Sequence, residues 1–253
     1  MKGKLELNSN AIKIRRELFN EDAFSPIDIF ALISGLSNFT LVFHPMSERI
    51  SGMCIREKDS NIIGINSSLS YGRQRFTAAH ELYHIFFEKG LRRVICEKEI
   101  NNKKSDSEKE ADTFASYLLA PHDALKAYIE RNKLCDDHNW AIENIIRIGQ
   151  FFQVSHQTVL YRLVSDEYID ETTSNRLRNN VIRQAIRLGY DDKLYKSSTE
   201  ERKYFSTGQY IKNVEELNNR ELISKGKYEE LLLDAFRADI VYDIGEEGKE
   251  LYD

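Results

Sequence analysis

The chain has 253 residues, enough for one large domain or two modest ones, and carries 36 basic against 41 acidic residues for a net charge of −5. Of these, 14 basic and 19 acidic residues lie from Glu167 onward, so the sequence before it holds 22 of each sign. Neither part has the basic excess of a general nucleic-acid binder, and no run approaches the ~18 apolar residues of a membrane span. The N-terminal MKGKLELNSN lacks the apolar core of a signal peptide, and Cys54, Cys96 and Cys135 have no metal-site spacing. The expectation is a soluble cytoplasmic protein whose cysteines are small packing residues in a reducing compartment.

In chain order, Ser25-Pro26-Ile27-Asp28 predicts a helix start, with serine as cap and proline at the first helical position, running to about Gly35. Thr40–Phe43, Ile50–Arg56 and Asn61–Asn66 read as strands, the last two joined by a polar turn. An edge of this sheet offers a place for an extended peptide to pair. Arg73–Gly90, RQRFTAAHELYHIFFEKG, predicts a buried helix with Gly90 as its stop. Arg92–Glu97 reads as a further strand. Ser107–Pro121, SEKEADTFASYLLAP, predicts a second helix capped near Ser105–Ser107. Asn139–Phe152 and His156–Val164 read as a helical pair resembling a helix-turn-helix, with Ser155 capping the second member. Only Arg162 gives that second helix positive charge, so a structural pair closing the core is the expected role. The division expected is a core over 1–166 and an all-helical extension over 167–253, with helices at Asn175–Leu188, Tyr210–Asn218 and Lys225–Ala238.

The chemistry concentrates in His80-Glu81-Leu82-Tyr83-His84. Positions i and i+4 of a helix share a face, so both imidazoles can reach one metal ion. A hydrolytic zinc needs a third protein ligand and an open position for water. On the second helix Glu108, Ala111, Asp112 and Ala115 share a face, while Glu110 lies about 200° round from Glu108 at ~3.6 residues per turn. Glu108 is therefore the expected third ligand, with Glu110 as the fallback. Asp112, one turn on, is placed to hold the other nitrogen of a ligand histidine. Glu81, roughly 100° round from His80, is the expected general base.

The runs RQRFTAAHELYHIFF and SEKEADTFASYLLAP, with Pro26-Ile27-Asp28 before them and FFQVSHQTVLYRL after, resemble the ImmA/IrrE family of metallopeptidases over roughly Ser25–Val164. The resemblance implies a Glu-zincin-type zinc peptidase whose Glu-x-x-x-Asp element maps onto Glu108 and Asp112. It also implies a protein substrate, a transcriptional repressor or antitoxin-like regulator, of the kind found in mobile elements and stress responses. Only about two dozen residues precede Pro26, so any DNA-binding partner is expected on a separate chain, with no direct nucleic-acid or membrane contact. The fold expected is α+β: a small sheet on zinc-binding helices, then a mostly helical C-terminal lobe. The opposing reading is a non-catalytic metal-binding regulator that acts by binding; Glu81 favours the enzyme, because a binding module has no chemical need for a base.

Overall fold

A computed structural model describes residues 2–88, 93–97, 105–135 and 140–242. The N-terminal segment forms α1 (Lys4–Lys13), which continues into a short π-helical turn over Ile14–Leu18. No element is expected here from the sequence, although Leu7, Ala11, Ile14 and Leu18 recur at helical spacing. Leu7 and Ala11 are buried, and α1 packs along the later helix that carries Glu108.

Next come α2 (Ile29–Gly35) and the strands β1 (Phe39–His44), β2 (Ile50–Arg56) and β3 (Asn61–Asn66). The long helix α3 (Tyr71–Phe87), strand β4 (Arg93–Glu97) and helix α4 (Asp106–Leu119) follow. Helix α2 begins later than expected. Asp28 itself is the cap, accepting from the backbone N–H of Phe30 and Ala31, while Ser25 bonds back to Asp22. A carboxylate that reaches two orphan N–H groups fixes the start better than the Ser25-Pro26 signal did. The end of α3 at Phe87 precedes the expected stop; Gly90 lies outside the described residues. Arg56 of β2 donates instead to the carbonyls of Ile85 (2.9 Å) and Glu88 (3.0 Å), satisfying that C-terminus.

The remaining helices are α5 (His122–Arg131), α6 (Ile142–Phe152), α7 (His156–Ser165), α8 (Glu171–Arg176), α9 (Val181–Arg187) and α10 (Glu200–Lys203). Strand β5 (Phe205–Gly208) and helices α11 (Gln209–Asn219), α12 (Lys225–Asp234) and α13 (Ala238–Val241) complete the described chain. Asn139, the expected start of α6, lies outside the described residues. The single helix expected over Asn175–Leu188 is two, because Asn180 adopts φ +63 between them. The C-terminal segment is mostly helical but not all helical, since β5 joins the sheet. Its four residues were too short and too weakly patterned to stand out in sequence.

The sheet has the order β4-β2-β3-β1-β5. Strands β1 and β3 are parallel, and every other pair is antiparallel. Strand alternation divides its faces. Phe39 and Phe43 point to the side of α2 and α3, where they meet Phe86 and Phe30. His44 points the other way, against Tyr204 and Phe236 of the C-terminal segment. Helix α3 thus lies between the sheet and α4, and nearly all of its length is buried. The architecture is α+β. Among the described residues, no helix is long and apolar enough to cross a membrane.

The helical pair α6–α7 behaves as core. Arg162 is 2% exposed and bonds the carbonyls of Ser116 and Ala120 at the end of α4, and Asp166 at 2.8 Å. The one cation of α7 is spent inside the protein.

Candidate metal centre

Helices α3 and α4 pack against each other, and Ala111 and Ala115 of α4 are fully buried. The start of α4 is fixed by Ser105, whose hydroxyl accepts from the N–H of Glu108 at 3.2 Å. At the other end of the contact, Tyr83, Phe87 and Phe114 form an aromatic cluster with centroids 5.3–5.6 Å apart.

Between these two anchors the side chains of His80, His84 and Glu108 converge. His80 Nε2 and His84 Nε2 are 3.1 Å apart. Glu108 Oε2 lies 3.3 Å from His80 Nε2, and Oε1 lies 3.4 Å from His84 Nε2. A zinc ion about 2.0–2.1 Å from such donors spaces them about 3.3–3.4 Å apart at tetrahedral angles. The three donors therefore fit one face of a small tetrahedral ion.

The far nitrogens of both imidazoles are also addressed by carboxylates. Asp112 Oδ1 is 3.0 Å from His80 Nδ1, which directs Nε2 toward the shared point. Glu88 Oε2 is 3.0 Å from His84 Nδ1, at an angle that does not complete a hydrogen bond. Glu88 was missed in sequence, although its spacing four residues beyond His84 was the available signal. Glu110, the fallback ligand, faces elsewhere: it accepts from the Tyr83 hydroxyl and from the Lys2 backbone N–H.

Electrostatics follow from this packing. Burial disfavours the His80 imidazolium, but the Asp112 and Glu108 carboxylates outweigh it and raise its pKa to about 9. For Glu108 burial opposes charge, yet the hydrogen bonds of the two imidazoles hold the carboxyl well below its usual range. The cluster is charged to hold a cation, and protons and a metal compete for the same lone pairs.

Glu81 sits beside this set, 0% exposed. Burial pushes its carboxyl pKa up, with the two imidazoles pulling the other way. Neither of its oxygens completes a hydrogen bond of normal geometry; the groups facing it are the thiols of Cys96 and Cys54. Its close approach to β2 depends on Gly52. A Cβ there would lie 2.4 Å from Thr77 Cγ2 and 3.1 Å from Glu81 Oε1.

Cys96 is the member that sequence reasoning missed. Its spacing in sequence predicts a packing residue, but its Sγ lies 3.9 Å from Glu108 Oε1. The ligand atoms of His80, His84, Cys96 and Glu108 all fall within 4.8 Å of one another. No spacing rule finds it, because strand pairing, not helical periodicity, brings β4 to the site.

A family model for M78 peptidases, described as the IrrE N-terminal-like domain, matches residues 37–164. No curated protein matches the chain. The matched segment spans just over half of the sequence and contains β1 to α7, with every residue of the donor set. On that match, laid over two helices whose imidazoles and carboxylate fit a metal ion, the chain belongs to the ImmA/IrrE family of metallopeptidases.

Proposed function

We propose that the protein is a zinc-dependent, site-specific endopeptidase that cleaves a protein substrate, a transcriptional repressor or antitoxin-like regulator carried on a separate chain. The observation that supports it most is Glu81: a fully buried carboxylate with a raised pKa, next to a three-donor set. A site built only to hold a metal has no use for it.

His80, His84 and Glu108 would hold the ion, and two imidazoles with one carboxylate suit zinc. Bound zinc would supply a lowered pKa for water and polarisation of the scissile carbonyl. Asp112 keeps the Nδ1 of His80 engaged and so presents Nε2 unprotonated. Glu81 takes the proton from the attacking water and hands it to the leaving amine. Its burial matches it to that task, because a carboxyl pKa raised above its ordinary value makes the carboxylate a stronger proton acceptor. Gly52 allows that carboxylate to stand where it does.

Substrate binding draws on the sheet. Among the described residues β4 pairs only with β2, so it is a sheet edge, and it runs past the donor set at Cys96. An extended peptide adding to that edge is the expected binding mode. This requires an unfolded or loop segment in the substrate.

The test is incubation of the zinc-loaded protein with candidate regulators, with fragments mapped by mass spectrometry and Glu81→Gln run alongside. Discrete fragments from the wild type alone are expected. Equal cleavage by the variant, or a wild type that retains no metal when purified without chelator, sinks the mechanism.

A further inference from the structure

A hydrolytic centre keeps one coordination position open, whereas a closed one fills all four with protein. Here a fourth donor stands at the open side. Cys96 is 1% exposed, on β4, with its sulfur 3.9 Å from Glu108 Oε1 and within 4.8 Å of both histidine donors. A tetrahedral ion with a sulfur ligand about 2.3 Å away sets that sulfur about 3.6 Å from a ligand oxygen. The spacing to Glu108 is a few tenths of an ångström longer, and the histidine donors lie within 4.8 Å of the set, so the sulfur completes the sphere by a short inward shift.

The strand register aims the thiol. Cys96 pairs with Gly52 across β2 and β4, and cross-strand partners share a face of the sheet. Because Gly52 has no side chain, the space on that face is left to Cys96 and Glu81. A second, independent observation points into the same space: the buried carboxylate of Glu81 has no completed hydrogen bond there.

We propose that Cys96 is a fourth metal ligand whose thiolate closes the coordination sphere, so that the resting peptidase is latent and becomes active when β4 moves the sulfur away. This rests on the reading of His80, His84 and Glu108 as ligands. As the sulfur–metal bond forms, the thiol gives up its proton, for which Glu81 is the adjacent acceptor, and a water leaves the coordination position. Nothing is oxidised or reduced. A peptide pairing along β4 would act on the strand that carries the latch, which couples substrate capture to opening.

The experiment substitutes cobalt(II) for zinc in the full-length protein and in Cys96→Ser and Cys96→Ala. The wild type should show the near-ultraviolet thiolate-to-cobalt charge-transfer absorption, both variants should lose it, and both should bind cobalt more weakly. With zinc restored, cleavage by Cys96→Ser should be faster than by wild type. A cobalt-loaded wild type without that absorption overturns the ligand assignment; equal cleavage rates overturn the latency. Should Glu81→Gln cleave as fast as wild type, the peptidase reading fails separately, while the sulfur ligand still stands or falls on the spectrum.

Discussion

The two ends of α4 carry buried polar groups put to opposite uses. At its C-terminal end, Arg15 donates to the carbonyls of Leu118, Ser25 and Asp22, and Arg162 to those of Ser116 and Ala120. Arg162 also pairs with Asp166 and lies 4.1 Å from the Tyr117 ring. Two guanidinium groups thus answer the orphan carbonyls and the negative end of the helix dipole. At the N-terminal end, Glu108 meets two imidazoles whose nitrogens face each other, beside a carboxylate without a completed bond. Buried polar groups are nearly always matched one to one. Where they are matched, as around Arg15, they hold the fold together. Where several lone pairs aim at one point, as around His80, they await a cation.

The comparison can be broken at either end. The largest effect is expected in catalysis: Glu81→Gln should lower the cleavage rate about 10²–10⁴-fold, with metal content and melting temperature little changed. A parallel fall in metal content would move Glu81 from the proton-handling role to the ligand set. At the opposite end, Arg162→Ala removes one member of a buried pair and should cost about 3–5 kcal/mol in denaturant unfolding. Zinc affinity of the folded fraction should stay unchanged; a loss of affinity without loss of stability would contradict the division of labour.

Smaller effects sharpen the picture around His80. Asp112→Asn should weaken zinc binding about 10–100-fold, read by competition with a chromophoric chelator. An unchanged affinity would reduce Asp112 to a surface carboxylate. The pH dependence has a definite sign. The folded-state pKa of His80, about 9, lies above its ordinary 6.5. Proton binding there stabilises the metal-stripped fold fully below pH 6.5, and that contribution is lost as pH rises through about 9. Zinc competes with that proton, so the rise in melting temperature on adding zinc should grow from pH 6.5 to about 9. A zinc effect that shrinks over that range would show that His80 does not compete for the ion.

The parts of the molecule governed by local periodicity were legible in sequence. The i,i+4 histidines, the shared face of Glu108 and Asp112, the caps at Ser105 and Ser155 and the strands Ile50–Arg56 and Asn61–Asn66 all follow from spacing along one element. Features that depend on partners distant in the chain were not. Cys96 reaches the centre through the pairing of β4 with β2, and Gly52 matters only because α3 lies on that strand. Strand β5 is stabilised by β1, its partner more than 160 residues earlier in the chain. Asn180 divided an apparently continuous helix by a left-handed backbone, which asparagine tolerates better than most residues.

The central claim, that α3 and α4 together form the metal centre through Glu108 and not Glu110, is tested most directly by zinc titration calorimetry on wild type, Glu108→Ala and Glu110→Ala. One tight site is predicted in the wild type and in Glu110→Ala, with binding in Glu108→Ala weakened beyond the roughly 100-fold upper range of a supporting residue. Tight binding that survives in Glu108→Ala, or fails in Glu110→Ala, would contradict it.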